Sequence, residues 1–327
     1  MNATTGPAPA TAESPFFELK VTRKAAVAKD TFWFELHSPE GTPLPPFTPG
    51  AHLTVELPGG MRRNYSLCGD PANNSIYQIA VKRDASGRGG SISMADDLQQ
   101  GDLLRVSAPR NNFELHPQGN EFIFIAGGIG ITPILSMMRY LKRTNGGHFK
   151  LYYCTRDAAS TAFMDDIHSE FADLVTLHHD NGDMAQALDL WPVLEKPTRA
   201  HVYCCGPKGL MDSVQDMSGH WPSGSVHFES FGVDAKVHAD NKPFTVHLQK
   251  SGATLEVSAD QTLLEALRAG GHRVPSSCES GTCGSCKTGL LQGEAEHRDM
   301  VLSEDEQTSH IMVCVSRARS TELVLDL

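Results

Sequence analysis

Four cysteines crowd the last fifty residues in a fixed spacing: Cys278, four residues, Cys283, two residues, Cys286, then twenty-seven residues and Cys314. Four thiolates hold a [2Fe–2S] centre, and this is its plant-type spacing, so the fold must bring Cys314 back beside the other three. Ser276, Ser277, Gly281, Thr282, Gly284 and Ser285 are small, which lets the loop wrap a cluster and turn backbone N–H groups toward its sulfurs. A structural zinc site is one alternative, although such sites usually offer two close cysteine pairs. Plain structural thiols or a disulfide are the other. Cys68, Cys154, Cys204 and Cys205 are scattered through the rest of the chain.

The 327 residues suffice for two or three domains with their own cores. With 39 acidic against 28 basic side chains the net charge is −11, which repels phosphate backbones, so no nucleic-acid partner is expected. No basic residue precedes Lys20, no secretory n-region can be drawn, and a cytoplasmic protein is expected. The longest uncharged run, Phe122 to Met138, has Gly127, Gly128, Gly130 and Pro133 in its middle and reads as strand, loop and helix, not as a membrane span.

Residues 1–15, rich in Pro, Ala and Thr, form a leader expected to be disordered. Residues 16–115 alternate in short apolar runs broken by Gly and Pro, the texture of an antiparallel β-barrel or sandwich. From 116 to 231, strands such as Glu121 to Ala126 and Ala200 to Cys204 alternate with helical stretches, among them Ala162 to His168. An α/β domain with a parallel sheet and a crevice at its carboxyl edge is expected. Residues 232–242 read as a linker. Residues 243–327 carry a hairpin around Lys250 to Gly252, a helix from Thr262 to Arg268, the cysteines and a final strand.

Within the barrel segment, Arg63-Asn64-Tyr65-Ser66 puts a guanidinium, an aromatic face and a hydroxyl within one short stretch, able to hold a phosphate, cover a flat ring and bond its edge. The same residues also suit an ordinary half-buried strand. Gly87-Arg88-Gly89-Gly90-Ser91 precedes a helical stretch from Ile92, with Ser91 as its expected N-cap and an anion site at its start; a flexible hairpin loop is the alternative. Gly127 to Pro133 follows a strand directly and suits a pyrophosphate, but it departs from the Gly-x-Gly-x-x-Gly fingerprint. Cys205-Gly206-Pro207 ends a second strand at a switch-point position where a nicotinamide could rest, although Cys205 by itself also suits a buried small hydrophobe. Asp157 follows the strand Leu151 to Cys154, where a carboxylate can accept bonds from an adenosine ribose and repel a 2′-phosphate, although Arg156 beside it could do the opposite.

The order and spacing of these motifs, with the cysteine cluster, resemble the phthalate dioxygenase reductase family over nearly the whole chain after residue 15. The resemblance implies a flavin barrel, a pyridine-nucleotide domain of the ferredoxin reductase type and a C-terminal β-grasp ferredoxin domain, fused in this order. It implies FMN held by Arg63 at the phosphate, Tyr65 beside the ring and Ser66 near its reactive nitrogen. Gly89, Gly90 and Ser91 would complete the phosphate site, and Ala80, Val81 and Lys82 would line the ring or ribityl chain. Gly128, Gly130, Thr132 and Pro133 would cradle the nucleotide pyrophosphate. Cys205 would lie at the nicotinamide, and Glu229-Ser230-Phe231 resembles the ending whose ring covers the flavin; a core anchor before the linker is the alternative for Phe231. Asn64 stands where Thr is frequent.

A hydride donor reaches a one-electron acceptor through a flavin and then a cluster, so NADH, FMN and [2Fe–2S] form a complete relay. The expected partner is a Rieske-type oxygenase; a cytochrome or other metalloprotein acceptor, or a redox-sensing binding protein, are the alternatives. The fifteen histidines are dispersed and are read as surface or core residues. Glu294, Glu296, Asp299, Glu304, Asp305 and Glu306 lie between the third and fourth cysteines, as an acidic docking patch or simply a solvated loop.

Overall fold

The computed structural model describes residues 16–58, 60–86, 89–222, 224–231, 241–276 and 279–327. The expected leader, most of the linker, Gly87, Arg88 and Cys278 lie outside them.

Six antiparallel strands come first: β1 (Phe16–Ala28), β2 (Thr31–His37), β3 (His52–Glu56), β4 (Arg62–Ser66), β5 (Ile76–Lys82) and β6 (Leu103–Ser107). They lie in the order β4-β3-β6-β1-β2-β5. The two outer strands meet just past β4, where Leu67 bridges Ile79 and the Cys68 N–H donates to the Gln78 carbonyl at 2.8 Å. That junction closes the sheet into a barrel and leaves no open edge beside Ser66. Alternation explains the core: Phe34 and Leu36 of β2 and Leu53 and Val55 of β3 are fully buried, each contributing about 1.5–3 kcal/mol of transfer free energy.

Between β5 and β6, α1 (Gly90–Ile92) runs on into a single π turn, Ser93–Asp97. The cap is Gly89, not Ser91. Gly89 adopts φ 85, and the Ser91 hydroxyl instead accepts the Asp84 N–H at 3.0 Å.

The second sheet is parallel: β7 (Glu121–Gly127), β8 (His148–Thr155), β9 (Val175–His179), β10 (His201–Cys205) and β11 (Val226–Glu229), ordered β11-β10-β7-β8-β9. The chain leaves β7 toward β8 on one side and returns to β10 on the other, so the crevice opens between β7 and β10. A 3₁₀ turn at Gly128–Gly130 feeds α2 (Ile131–Thr144), whose Ile131, Ile134, Leu135, Met138 and Leu141 are buried at helical spacing. Asn145 ends α2 at φ 49, and Lys142 and Arg143 in the last turn favour its dipole. Phe163, at φ 60, delays α3 (Met164–Phe171) past its expected start at Ala162. Short α4 (Trp191–Leu194) and α5 (Lys208–Ser218) complete this layer. No described helix is long and apolar enough to cross a membrane.

The third unit holds β12 (Phe244–Leu248), β13 (Thr254–Val257), α6 (Leu263–Ala269), β14 (Lys287–Gln292), β15 (Ala295–Glu296), α7 (Glu304–Gln307), β16 (His310–Met312), β17 (Arg317–Ala318) and β18 (Glu322–Leu325). Its main sheet runs β13-β12-β18-β14-β16, with β12 and β18 parallel, and α6 packs on it through Leu263, Leu264 and Leu267. Thr262 and Glu265 form a capping box that starts α6 one residue after the expected position.

Candidate functional site

The carboxyl ends of β10 and β11 bring Cys205 and Glu229 side by side in register. The Ser66 hydroxyl, at the end of barrel strand β4, donates to Glu229 Oε2 at 3.3 Å, so the barrel meets the parallel sheet at this point. Ser66 and Glu229 are 4% and 8% exposed, and Cys205 is fully buried. Burial, then the nearby Glu229, pushes the Cys205 thiol well above its usual range, so it stays a neutral S–H and is no nucleophile.

Below Cys205, the turn after β7 packs main chain on main chain. A Cβ on Gly130 would collide with the Cys205 carbonyl oxygen, and Gly127 lies against Gly206 and Pro207. Only glycine lets the two turns of the crevice approach this closely. Gly128, at φ 52, faces open space and leaves room for a pyrophosphate against the backbone. Thr132 and Pro133 are buried, and the Thr132 hydroxyl donates to the Ile129 carbonyl at 3.0 Å. These two hold the turn's shape from within.

On the barrel side, Arg63 lies across Gly90, whose hypothetical Cβ would come within 2.9 Å of the Arg63 side chain. The guanidinium and the start of α1 therefore share one corner, which fits a phosphate. Tyr65 is half-buried, and burial, partly offset by Arg63, pushes its phenol up to about 12, so it remains a neutral aromatic face. On β5, Val81 points into the barrel core and Ala80 packs toward the α/β domain, while Lys82 is exposed. Val81 can thus reach a ligand through its backbone only.

Asp157 stands at the rim after β8, but one carboxylate oxygen accepts the Ser160 N–H at 2.8 Å as an N-cap, which holds the carboxyl below its usual range. Phe231, just past Glu229, is 46% exposed and is not a core anchor.

Cys286 and Cys314 are buried and Cys283 is partly exposed; no disulfide joins cysteines among the described residues. Cys278 lies outside those residues. The loop turns through positive φ at Glu279, Gly281 and Gly284, and Cys283, Cys286 and Cys314 carry thiols, the donor type that suits a cluster of two irons. Of the acidic run between Cys286 and Cys314 only the Asp299 side chain is buried, while Glu296 and Glu306 are paired at the surface. Glu296 pairs with Arg298 at 2.8 Å, and Glu306 caps Ser303 and pairs with Lys287 at 3.0 Å. Asp299, its side chain 0% exposed, accepts the Leu302 N–H at 2.9 Å. Glu294, Glu304 and Asp305 remain exposed.

Three family models match in the same order as these units: an oxidoreductase FAD-binding domain over 18–115, an oxidoreductase NAD-binding domain over 124–216, and a 2Fe-2S iron-sulfur cluster binding domain over 246–319. The chain is 60% identical to the phthalate 4,5-dioxygenase oxygenase reductase subunit of Pseudomonas putida over 95% of its own length and 97% of that protein. A solved phthalate dioxygenase reductase, described as a modular structure for electron transfer from pyridine nucleotides to [2Fe-2S], superposes with a TM-score of 0.74 at 56% identity, covering 95% of this chain and 98% of that one. The chain belongs to the phthalate dioxygenase reductase family.

As a member of this family it is an NADH-dependent oxidoreductase that uses a flavin and a [2Fe–2S] cluster. An intact self-sufficient cytochrome P450 monooxygenase also contains a segment similar to this chain, with a TM-score of 0.71 and 35% identity over 99% of this chain and 43% of that protein. A bound flavin takes a hydride and passes electrons singly to the cluster. Sequence reasoning missed how the barrel is fastened to this reductase's nucleotide domain. Arg139 and Arg143, four residues apart on α2, donate to the Cys68 carbonyl at 3.0 Å and to Asp70 at 3.1 Å. Two arginines at that spacing on one face were the available signal.

Proposed function

We propose that this reductase supplies single electrons to a Rieske-type oxygenase, with FMN as its flavin and NADH as its donor. The observation that carries the reading is the meeting of Ser66 with Glu229 and Cys205, in a chain whose last fifty residues hold a plant-type cysteine set. In this reading Arg63 with Gly89, Gly90 and Ser91 binds one phosphate, Tyr65 flanks the ring, and Ala80, Val81 and Lys82 line it or the ribityl chain. Gly128 and Gly130 receive the nucleotide pyrophosphate on a turn held by Thr132 and Pro133. Asp157 uses its second oxygen toward the ribose. Ser66, Cys205 and Glu229 surround the hydride path, Phe231 covers the flavin, and Cys278, Cys283, Cys286 and Cys314 ligate the irons. Domain boundaries at 16–115, 116–231 and 243–327, and a cytoplasmic site of action, belong to the same reading.

Support for FMN comes from the Arg63–Gly90 corner, which suits a terminal phosphate; the barrel's family model is described for FAD, which makes FAD the competitor. Chromatography of the released cofactor distinguishes them, and a main peak of FAD overturns the choice. The phthalate reductase relatives support an oxygenase that acts on an aromatic acid. A purified oxygenase of that class should turn over with NADH and this protein. The P450 similarity favours a second reading, the same relay feeding a cytochrome. Rapid reduction of a P450 haem, with none of the oxygenase, would replace the first reading by the second.

A further inference from the structure

We propose that Arg139, supported by Arg143 one turn along α2, is a positioning residue that sets the distance between the flavin and the nicotinamide. The inference rests on the assignment of Ser66, Cys205 and Glu229 to the hydride path.

Helix α2 touches both halves of that path. Its first turn follows Gly130, which lies against the Cys205 carbonyl under the nicotinamide position. Eight residues farther, roughly 12 Å along the axis, Arg139 reaches the barrel. Its Nη1 donates to the Cys68 carbonyl at 3.0 Å, two residues beyond Ser66. Nη2 donates to Glu170 Oε1 at 2.8 Å, and Asp166 lies 3.6 Å away, so α3 holds the guanidinium in place. With its side chain 16% exposed, Arg139 is largely shielded from water, where a charged hydrogen bond is stronger than on an open surface. Arg143 Nε repeats the contact at Asp70, 3.1 Å away, at the edge of the same cleft between the domains.

The anchored strand cannot yield on its other side. The Cys68 N–H is bonded to Gln78 of β5, and Leu67 bridges Ile79. Cys68 is therefore fixed by the barrel through its N–H and by α2 through its carbonyl. One rigid helix thus ties the floor of the nucleotide crevice to the strand that carries Ser66. A planar fork directs Nη1 at the carbonyl and Nη2 at the carboxylate in fixed geometry; a lysine ammonium can reach two acceptors but does not hold them in one plane. Hydride transfer depends steeply on the separation of its partners, and a misplacement of about 1 Å can cost on the order of 100-fold.

The test is anaerobic stopped-flow reduction of the bound flavin by NADH in Arg139→Ala, Arg139→Lys and Glu170→Gln, on the full chain. The expected result is a fall of at least roughly tenfold in the limiting rate for Arg139→Ala, with weakened long-wavelength charge-transfer absorbance and little change in the NADH concentration for half-maximal rate. Arg139→Lys and Glu170→Gln should fall between it and the parent. Flavin content and melting temperature, measured alongside, separate lost positioning from lost folding. If Arg139→Ala fails to retain flavin, the other two variants decide: parental rates in both overturn the proposal. A parental limiting rate in a folded Arg139→Ala overturns it directly. A parental rate in Ser66→Ala would instead overturn the assignment of the hydride path on which the inference rests.

Discussion

Ser66 and Glu229 are 163 residues apart in the chain and 3.3 Å apart in the fold, joined by a hydrogen bond between two domains. The hydroxyl and carboxylate thereby hold each other beside the Cys205 thiol. Neutralising the carboxylate in Glu229→Gln keeps a side chain of the same size while weakening the bond to Ser66. The limiting rate of flavin reduction by NADH should fall by roughly ten- to a hundredfold, with the flavin still bound. A rate within twofold of the parent would remove Glu229 from the hydride path.

Cys314→Ser addresses the other end of the relay. Serine would take a soft thiolate from one iron, while Arg63 and Ser66 on β4 and Cys205 on β10 sit in the other two large sheets. Flavin reduction should proceed near the parental rate, and delivery to a one-electron acceptor through the cluster should fall sharply. Full delivery would deny Cys314 its ligand role.

At Gly130 the expected damage is steric. A methyl group there meets the Cys205 carbonyl, and relieving the overlap pushes the two turns of the crevice apart. Gly130→Ala should lose about 1–3 kcal/mol of stability, seen as a lower urea midpoint, together with a raised KM for NADH. An unchanged midpoint and KM would mean that the turns yield without cost.

Acid should weaken the protein through a stack of histidines. His116 lies on His201 at 4.1 Å between ring centres, His201 Nδ1 is 3.1 Å from His227 Nε2, and His227 stacks on Tyr203 at 4.4 Å. Burial, then His201 and His116, pushes His227 down to about 4. The unfolded chain, with histidine near 6.5, binds the proton first, so stability falls as pH drops from about 6.5 toward 4 and is unaffected by this group above that window. His227→Phe keeps an aromatic ring on Tyr203 without the titrating group. Its melting temperature should therefore fall less steeply over that window than the parent's, and parallel curves would rule the stack out.

Features that act locally were legible in the sequence. The cysteine spacing pointed to a 2Fe-2S domain, which the family model over 246–319 matches, because three of the four cysteines share one short stretch, and alternation located β2, β3 and β5 because each buries one face. Thr262 and Glu265 announced α6 through a contact three residues long. Competing local bonds were harder to weigh: Ser91 has the chemistry of a cap, yet the Asp84 N–H takes its hydroxyl, and Asp157 caps Ser160 while standing at the ribose rim. Long-range meetings left no trace in any short stretch. The Arg139 anchor on Cys68 depends on how two domains pack, the contact of His116 with His201 on how one domain folds back on itself across the residues between them, and the burial of Asp299 within the acidic run on what packs over it.

The floor of the nucleotide crevice, Gly130 on the Cys205 carbonyl and Gly127 on Gly206, is main chain lying on main chain. A side chain added there must move backbone, so engineered change is easier on the rim, at Arg156 and Asp157, or on the ferredoxin surface. A lineage built this way can be re-addressed to new acceptors while its hydride chemistry is left untouched, and a designer seeking a new acceptor would begin at the far end of the chain.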